Sequence, residues 1–434
     1  VVDAVKHLLM IVPFFPPMGG GGVYRSLSFV RYLPRHGWRT TVVAPRGDAF
    51  WIRDPTLVDK IPPECRVRRT STLSGQALLA ALRPDGERVP PQTRSSRGFG
   101  VARRASAALL VPDTYLGWFP FALRAALAEA RAGSFDAVYS TSPPETSHLV
   151  ADAVRARTGL KWIADFRDPW MNLRLLEPAS ALHARLHRAL EARVCGHADV
   201  VVVTTQWHES VLRGAYPRCR VERVPNGYDG EEVHAVAQLS PARSPMRFVH
   251  AGMLTQKRSA VPFLEALAAF FARRPQARGD VEVDFVGARE DENERAVERL
   301  GLVDRVRFQT SVAHDDVLRL ERRAHVLLLI KHMDSRYDGL VPGKLYEYVG
   351  LARPVLALAP AGEARSLVET LRRGESVDPR DVEGIARKIE LLYGRFRDGT
   401  LDAWYDLGAV PHLERSRQAG ELARICDACV AGRE

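Results

Sequence analysis

Short apolar runs of strand length recur along the chain, separated by amphipathic stretches of helical length. The first run, His7-Leu-Leu-Met-Ile-Val-Pro13, meets a glycine cluster, Gly19, Gly20, Gly21 and Gly22. A helical pattern over Tyr24 to His36 follows, stopped by Gly37, and Thr40 to Ala44 is the next buried-strand run. Such a βαβ opening with a glycine-rich first turn predicts an α/β fold whose parallel sheet carries helices on both faces. Ala137–Ser140, Trp162–Ala164 and Val200–Val203 extend the strand series, with a helix over His183 to Arg193. Together these predict one doubly wound domain over residues 1–235.

A break lies near Glu232 to Met246, where Ser240-Pro-Ala-Arg-Ser-Pro245 has linker composition. A second series follows, with strands at Arg247–Gly252, Val281–Gly287, Val306–Gln309, Val326–Ile330 and Pro354–Leu358. Helical patterns cover Pro262–Ala272, Asp315–Arg323, Leu345–Val349, Arg380–Tyr393 and Glu414–Val430. The second domain is expected over 246–395, and the C-terminal helices of 396–434 are expected to pack back toward the first. Two doubly wound domains in tandem predict an interdomain cleft at the carboxyl ends of their strands, where such sheets bind ligands.

Composition changes this picture in three places. The 434 residues carry 62 basic and 52 acidic side chains, and the net +10 is concentrated in residues 1–240, with 31 basic against 22 acidic, leaving 31 against 30 in the remainder. Within that first half, residues 66–104 hold nine arginines against Asp85 and Glu87, which predicts a basic insertion. The aromatics that follow, Tyr115, Trp118, Phe119 and Phe121, suit either a surface flap meeting anionic head groups or a core-facing helix. No stretch approaches the roughly 18 apolar residues of a membrane span, so a cytoplasmic protein, at most peripheral at the inner face of a membrane, is expected. Five cysteines, Cys65, Cys195, Cys219, Cys426 and Cys429, make no disulfide framework, and Cys426-x-x-Cys429 lacks the partners of a zinc site.

The glycine cluster lacks GxGxxG spacing, and the chain has no Walker A sequence, which disfavours a dinucleotide oxidoreductase or a P-loop enzyme. Four glycines before a helix still allow close backbone approach to an anion. The strongest signal is Gly339-Leu-Val-Pro-Gly-Lys-Leu-Tyr-Glu-Tyr-Val349. Gly343 opens a helix start, Lys344 suits a phosphate, and Glu347, three residues on, suits a pair of sugar hydroxyls; an i,i+3 surface ion pair is the plainer alternative.

This segment resembles the donor loop, Pro-x-Lys-Leu-x-Glu-Tyr, of the retaining glycosyltransferases of family 4, in the branch that builds exopolysaccharides and lipid-linked glycans. Asp165-Phe-Arg-Asp-Pro-Trp170 is similar to a signature of that branch, Val224-Pro-Asn-Gly-Tyr-Asp229 to the turn that ends its first domain, and Phe15-Pro-Pro17 with the four glycines to its N-terminal loop. The resemblance spans about residues 7 to 393. It implies a GT-B fold of two Rossmann-like domains, acceptor-binding first and nucleotide-sugar-binding second.

Carried over by position, it implies that Glu347 holds the nucleotide ribose and that Lys344, with the Gly343 and Leu345 backbone, meets the diphosphate. Arg258 and Lys257, after Gly252, grip the same phosphates, and Val312 lies beside the base. Asp168, Arg167 and His148 face the reacting carbon. The plainer readings make Asp165 and Asp168 strand-end caps paired with Arg167, and His148 a helix-surface residue. Two departures stand out: Met253 replaces an arginine, and Gly339 replaces the first glutamate of the usual motif, leaving Asp338 as the nearest carboxylate.

The implied reaction moves a sugar from a UDP-, GDP- or TDP-linked donor to a lipid-linked glycan or small-molecule acceptor, with retention and no metal or other cofactor. Nucleic acid is not an expected partner. A nucleotide-sugar epimerase of the same fold, or a sugar-nucleotide-binding protein without catalysis, are the alternatives.

Overall fold

The computed structural model describes residues 5–46, 53–73, 110–171, 180–255, 257–287, 291–310 and 312–432. The chain divides into two compact units: the first runs to Asn226 and resumes at Arg415, and the second is Gly227–Glu414.

In the first unit, β1 (Lys6–Ile11), α1 (Gly21–Tyr32), β2 (Trp38–Pro45) and β3 (Arg66–Thr70) precede α2 (Phe119–Ala132) and β4 (Ala137–Ser142). Then come α3 (Thr146–Thr158), β5 (Lys161–Phe166), α4 (Ala181–His197), β6 (Val200–Val203), α5 (Gln206–Ala215) and β7 (Val221–Arg223). The seven strands pair in parallel in the order β3-β2-β1-β4-β5-β6-β7. Successive strand side chains point to opposite faces, which splits the apolar runs between two cores. Leu8, Met10, Val42, Tyr139, Ile163 and Val202 pack on one face with α1 and the last helix of the chain, Arg415–Ala431. Leu9, Ile11, Val43, Val138, Trp162 and Val201 pack on the other with α2 and α3.

The expected insertion is corrected at its start, since Arg66 to Thr70 is the edge strand β3. Its outward arginines, Arg66 and Arg68, lie near the Glu129 carboxylate of α2, so charge that reads as loop is the solvated rim of a sheet. Residues 74–104 of that basic tract lie outside the described residues. Tyr115 and Trp118 are core residues rather than a surface belt: Trp118 is fully buried and its Nε1 donates to Thr70 Oγ1 at 2.7 Å. Cys426 and Cys429 sit buried on the inner face of the last helix. Among the described residues no helix is long and apolar enough to cross a membrane.

The second unit repeats the plan with α6 (Gly230–Val236), β8 (Met246–Ala251), α7 (Val261–Arg273), β9 (Val281–Val286), α8 (Asp291–Arg299), β10 (Val306–Gln309) and α9 (His314–Arg322). It continues with β11 (Val326–Ile330), α10 (Gly343–Gly350), β12 (Val355–Leu358), α11 (Glu363–Thr370), β13 (Gly374–Val377) and α12 (Val382–Arg397). The order β10-β9-β8-β11-β12-β13 is again wholly parallel. In both sheets the chain reverses direction of winding between two central strands, β1 and β4 in one and β8 and β11 in the other. The loops leaving those strands are the ones a doubly wound sheet uses for ligands.

Candidate functional site

In the first unit the glycine loop joins β1 to α1. Gly20 has φ 91°, a conformation that a side chain would strain, and the next residue is the first of α1. A Cβ on Gly22 would lie 3.0 Å from both Arg167 Nη1 and the Phe14 ring. Arg167 ties its own loop to the first turn of α1 and to the loop after β4: Nη1 donates to Gly22 O at 2.6 Å and Nη2 to Pro143 O at 3.3 Å, while Nε faces Asp168 Oδ2 at 3.8 Å. Asp168 is a third exposed, and burial, then the nearby Asp165 charge, raises its carboxyl pKa against the pull of Arg167.

His148 is placed elsewhere. It is fully buried in α3 against the sheet, stacked on Phe166 at 4.7 Å, with Nδ1 bonded to Ser140 Oγ at 2.8 Å. Burial lowers its pKa to about 3, so it is a neutral core histidine, neither the acceptor-facing group nor the surface residue that its position in the sequence suggests.

Asp165 is likewise not paired with Arg167. Its carboxylate is fully buried and accepts from Arg25 of α1 (Nη2 to Oδ1, 2.8 Å), from Tyr139 Oη at 2.7 Å and from Thr141 Oγ1 at 2.9 Å. Arg25 also donates to Pro225 O at 3.0 Å. Desolvation would raise the Asp165 pKa, but the Arg25 charge and these donors hold it below the usual range. Sequence reasoning also missed Glu145, the N-cap of α3, whose pKa burial, with Asp113 and Asp168, raises to about 8.

In the second unit the strand ends β8 and β9 approach closely. Gly287 has φ 143°, and a Cβ there would fall 2.2 Å from Gly252 O. The loop after Gly252 exposes Lys257 and half-buries Arg258, whose Nε is sheltered from solvent without a hydrogen-bond partner among the described residues. His250, at the end of β8, bonds Leu328 O through Nδ1 at 2.8 Å. That bond places the ring hydrogen on Nδ1, while burial lowers the pKa to about 4, so Nε2 presents a lone pair near Arg258 and Lys344.

After β11, Lys331 is almost wholly buried. Desolvation lowers its pKa to about 8, and its Nζ donates to Asp338 O at 3.2 Å. Asp338 keeps Oδ1 buried and unpartnered among the described residues, and burial raises its pKa.

At the start of α10, Lys344 Nζ donates to Glu347 Oε1 at 2.6 Å and to Glu321 Oε1 of α9 at 3.2 Å. A Cβ on Gly343 would meet nothing within 4 Å, so the glycine leaves the first turn uncovered rather than relieving a clash. Leu345 is a core residue whose amide donates to Pro342 O at 3.0 Å, so its expected role as a donor contact is not available to that amide. Val312 is exposed on the loop before α9. The structure thus gathers Gly252, Lys257, Arg258, Asp338, Lys344 and Glu347 around the ends of β8 and β11. It adds His250, Lys331 and Glu321, which have no motif and whose only sequence signal is a polar residue at the end of an apolar run or on a helix face. Among the described residues no three His, Cys, Asp or Glu side chains converge as a metal site.

Two family models match the chain: a glycosyl transferase 4-like domain over residues 19–227 and glycosyl transferases group 1 over 245–395. No curated protein matches the sequence. Among solved structures, HepE of Anabaena, determined with UDP, is 15% identical with a TM-score of 0.64, covering 98% of this chain and 100% of HepE. Trehalose 6-phosphate synthase of Burkholderia multivorans is 12% identical with a TM-score of 0.64, covering 99% and 98%. WaaG, a glycosyltransferase of lipopolysaccharide biosynthesis, is 14% identical with a TM-score of 0.57, covering 98% of each chain. At such identities the likeness is one of fold, the GT-B architecture.

Proposed function

The chain belongs to the family-4-type glycosyltransferases, and on that premise we propose that it transfers a sugar from a nucleoside diphosphate to an acceptor hydroxyl with retention of anomeric configuration. The observation that carries this reading is the Lys344–Glu347 pair at the uncovered first turn of α10, with Arg258 at the neighbouring strand end. Glu347 is assigned to the ribose hydroxyls. Lys344, Arg258 and the first amides of α10 are assigned to the diphosphate, whose growing charge in the transition state they stabilise. Fixed cations in these positions support a metal-independent reaction, in which the departing phosphate takes the acceptor's proton.

Asp168, partly open and held in place through Arg167, is the acceptor-side group in this reading. His148, buried and neutral, is withdrawn from it. UDP bound to HepE supports a nucleoside diphosphate donor, and the lipopolysaccharide role of WaaG supports a glycan acceptor carried on lipid. The basic first half supports contact with an anionic membrane surface.

The test supplies the full chain with UDP-, GDP- and TDP-sugars and lipid-linked or soluble acceptors. Nucleoside diphosphate release and the anomeric configuration of the product by NMR are the readouts, with and without EDTA. Acceptor-dependent release with a retained anomer, unaffected by EDTA and lost in Lys344→Ala and Glu347→Ala, is expected. An inverted product, or undiminished turnover in both variants, refutes the assignment.

A further inference from the structure

Lys344 is held by more carboxylate than the donor reading uses. Glu321 is fully buried and accepts from Lys344 through Oε1, while its Oε2 has no N–H or O–H partner among the described residues. Its side chain instead meets the carboxyl group of Glu347. Two carboxylates in contact, both sheltered from water beside one ammonium, share a single negative charge. The remaining proton belongs to the more buried partner: desolvation lifts Glu321 well above the usual range, whereas Lys344 and then His314 overcome desolvation at Glu347 and hold it ionised.

We propose that Glu321 is a positioning residue of the donor site, a neutral carboxylic acid whose O–H donates to Glu347 and whose carbonyl oxygen seats Lys344. The inference rests on the reading of Lys344 and Glu347 as donor-binding groups. A neutral Glu321 fixes the Glu347 carboxylate and lets Lys344 turn to a diphosphate without leaving two buried anions behind. An ionised Glu321 would keep the ammonium for itself and repel the phosphates. The other titratable groups around this cluster are Tyr348 of α10, kept as the neutral phenol by burial, His314 of α9, and His250 with Arg258 at the end of β8; Arg258 in turn acts on Lys331.

The sign follows from the raised value. The favourable protonated form is lost as pH rises through that raised value, so nucleotide affinity falls on its alkaline side. The experiment measures binding of UDP, GDP and TDP to the full chain by calorimetry from about pH 6 to 9, with kcat and KM for the accepted donor. Glu321→Gln, which keeps an N–H donor and a carbonyl, should bind within about threefold of the parent at neutral pH and show no alkaline loss. Glu321→Leu should bind roughly tenfold more weakly, the scale of one charge-assisted hydrogen bond, with KM raised more than kcat is lowered.

Parent-like binding by Glu321→Leu, or equal weakening in Glu321→Gln, overturns the proposal. Should the leucine variant not melt cooperatively, the pH profiles of the parent and Glu321→Gln decide it, coincidence of the two being the refuting result. Weakened binding in Lys344→Ala and Glu347→Ala with unaffected Glu321 variants removes only the positioning role. Unaffected binding in all of them removes the donor-site reading itself.

Discussion

The Asp165–Arg25 pair offers a quantitative test of how the first unit holds its strand ends together. Asp165 is 0% and Arg25 4% exposed at the side chain, so replacing Asp165 by Asn leaves the guanidinium buried without its counter-charge. The same change deprives Tyr139 Oη and Thr141 Oγ1 of an ionised acceptor. Breaking a buried pair by removing one partner costs about 3–5 kcal/mol, which for a unit of this size is on the order of 10 °C in Tm. Urea and thermal unfolding, followed by tryptophan fluorescence, measure it, because Trp38, Trp118 and Trp162 are all buried in this unit. Adding Arg25→Met should restore much of the loss, since it removes the stranded buried charge.

Acid titration gives an independent sign. The folded pKa of Asp165 is depressed, so its contribution is fully present above the unfolded value of about 4 and is lost as pH falls through the folded value. The parent should lose stability over that acid range more steeply than Asp165→Asn does. A loss below about 1 kcal/mol on Asp165→Asn, or no recovery in the double variant, would refute the account.

Arg258→Ala should lower kcat/KM by roughly 100-fold while leaving Tm nearly unchanged, the usual loss for one preorganised charge donor at a developing anion. Steady-state kinetics on the accepted donor check this, and a stability loss without a kinetic one contradicts it. His148→Ala should cost about 2–4 kcal/mol, by loss of the Phe166 stack and the Ser140 bond. The pH–rate profile between about 6 and 7 should keep its shape, because the ring is already neutral there. Gly287→Ala should destabilise the second unit by more than about 2 kcal/mol, since its Cβ would fall 2.2 Å from a backbone oxygen; an unshifted urea midpoint would refute the close approach.

Strands buried on both faces announce themselves as unbroken apolar runs, so β1, β6 and β11 were legible with bounds close to those observed, while β9, Val-Glu-Val-Asp-Phe-Val, shows instead as an alternation. Three of the four edge strands were not legible: β3 is five residues with three arginines, and β7 and β13 have few inward positions, so periodicity has too little to work on, whereas the fourth, β10, was read at Val306–Gln309. Lys344 and Glu347 were found because they stand three apart in a motif. Glu321 was not, because it meets them from 23 and 26 positions away on another helix, a proximity that only the sheet order creates. His148 shows the converse failure. A polar residue beside a strand end suggests chemistry, yet its helix turns the ring inward to bond Ser140, itself bonded by Trp162 Nε1.

The return of the chain to its first unit has a consequence for synthesis and for engineering. The last helix lays Ala419, Leu422, Ala423, Ile425, Cys426 and Cys429 over the same core as Phe29, Val30 and Trp38, and Asp427 Oδ1 accepts from both Lys6 Nζ and Trp38 Nε1 at 2.8 Å. The second unit is therefore an insertion in the genetic order of the first. On the ribosome, the N-terminal half waits with one apolar flank bare until residues 415–431 have been made, whereas residues 227–414 can close on themselves sooner. The natural place to cut this protein is at both ends of the insertion, with the final helix spliced to Asn226, and not at a single midpoint.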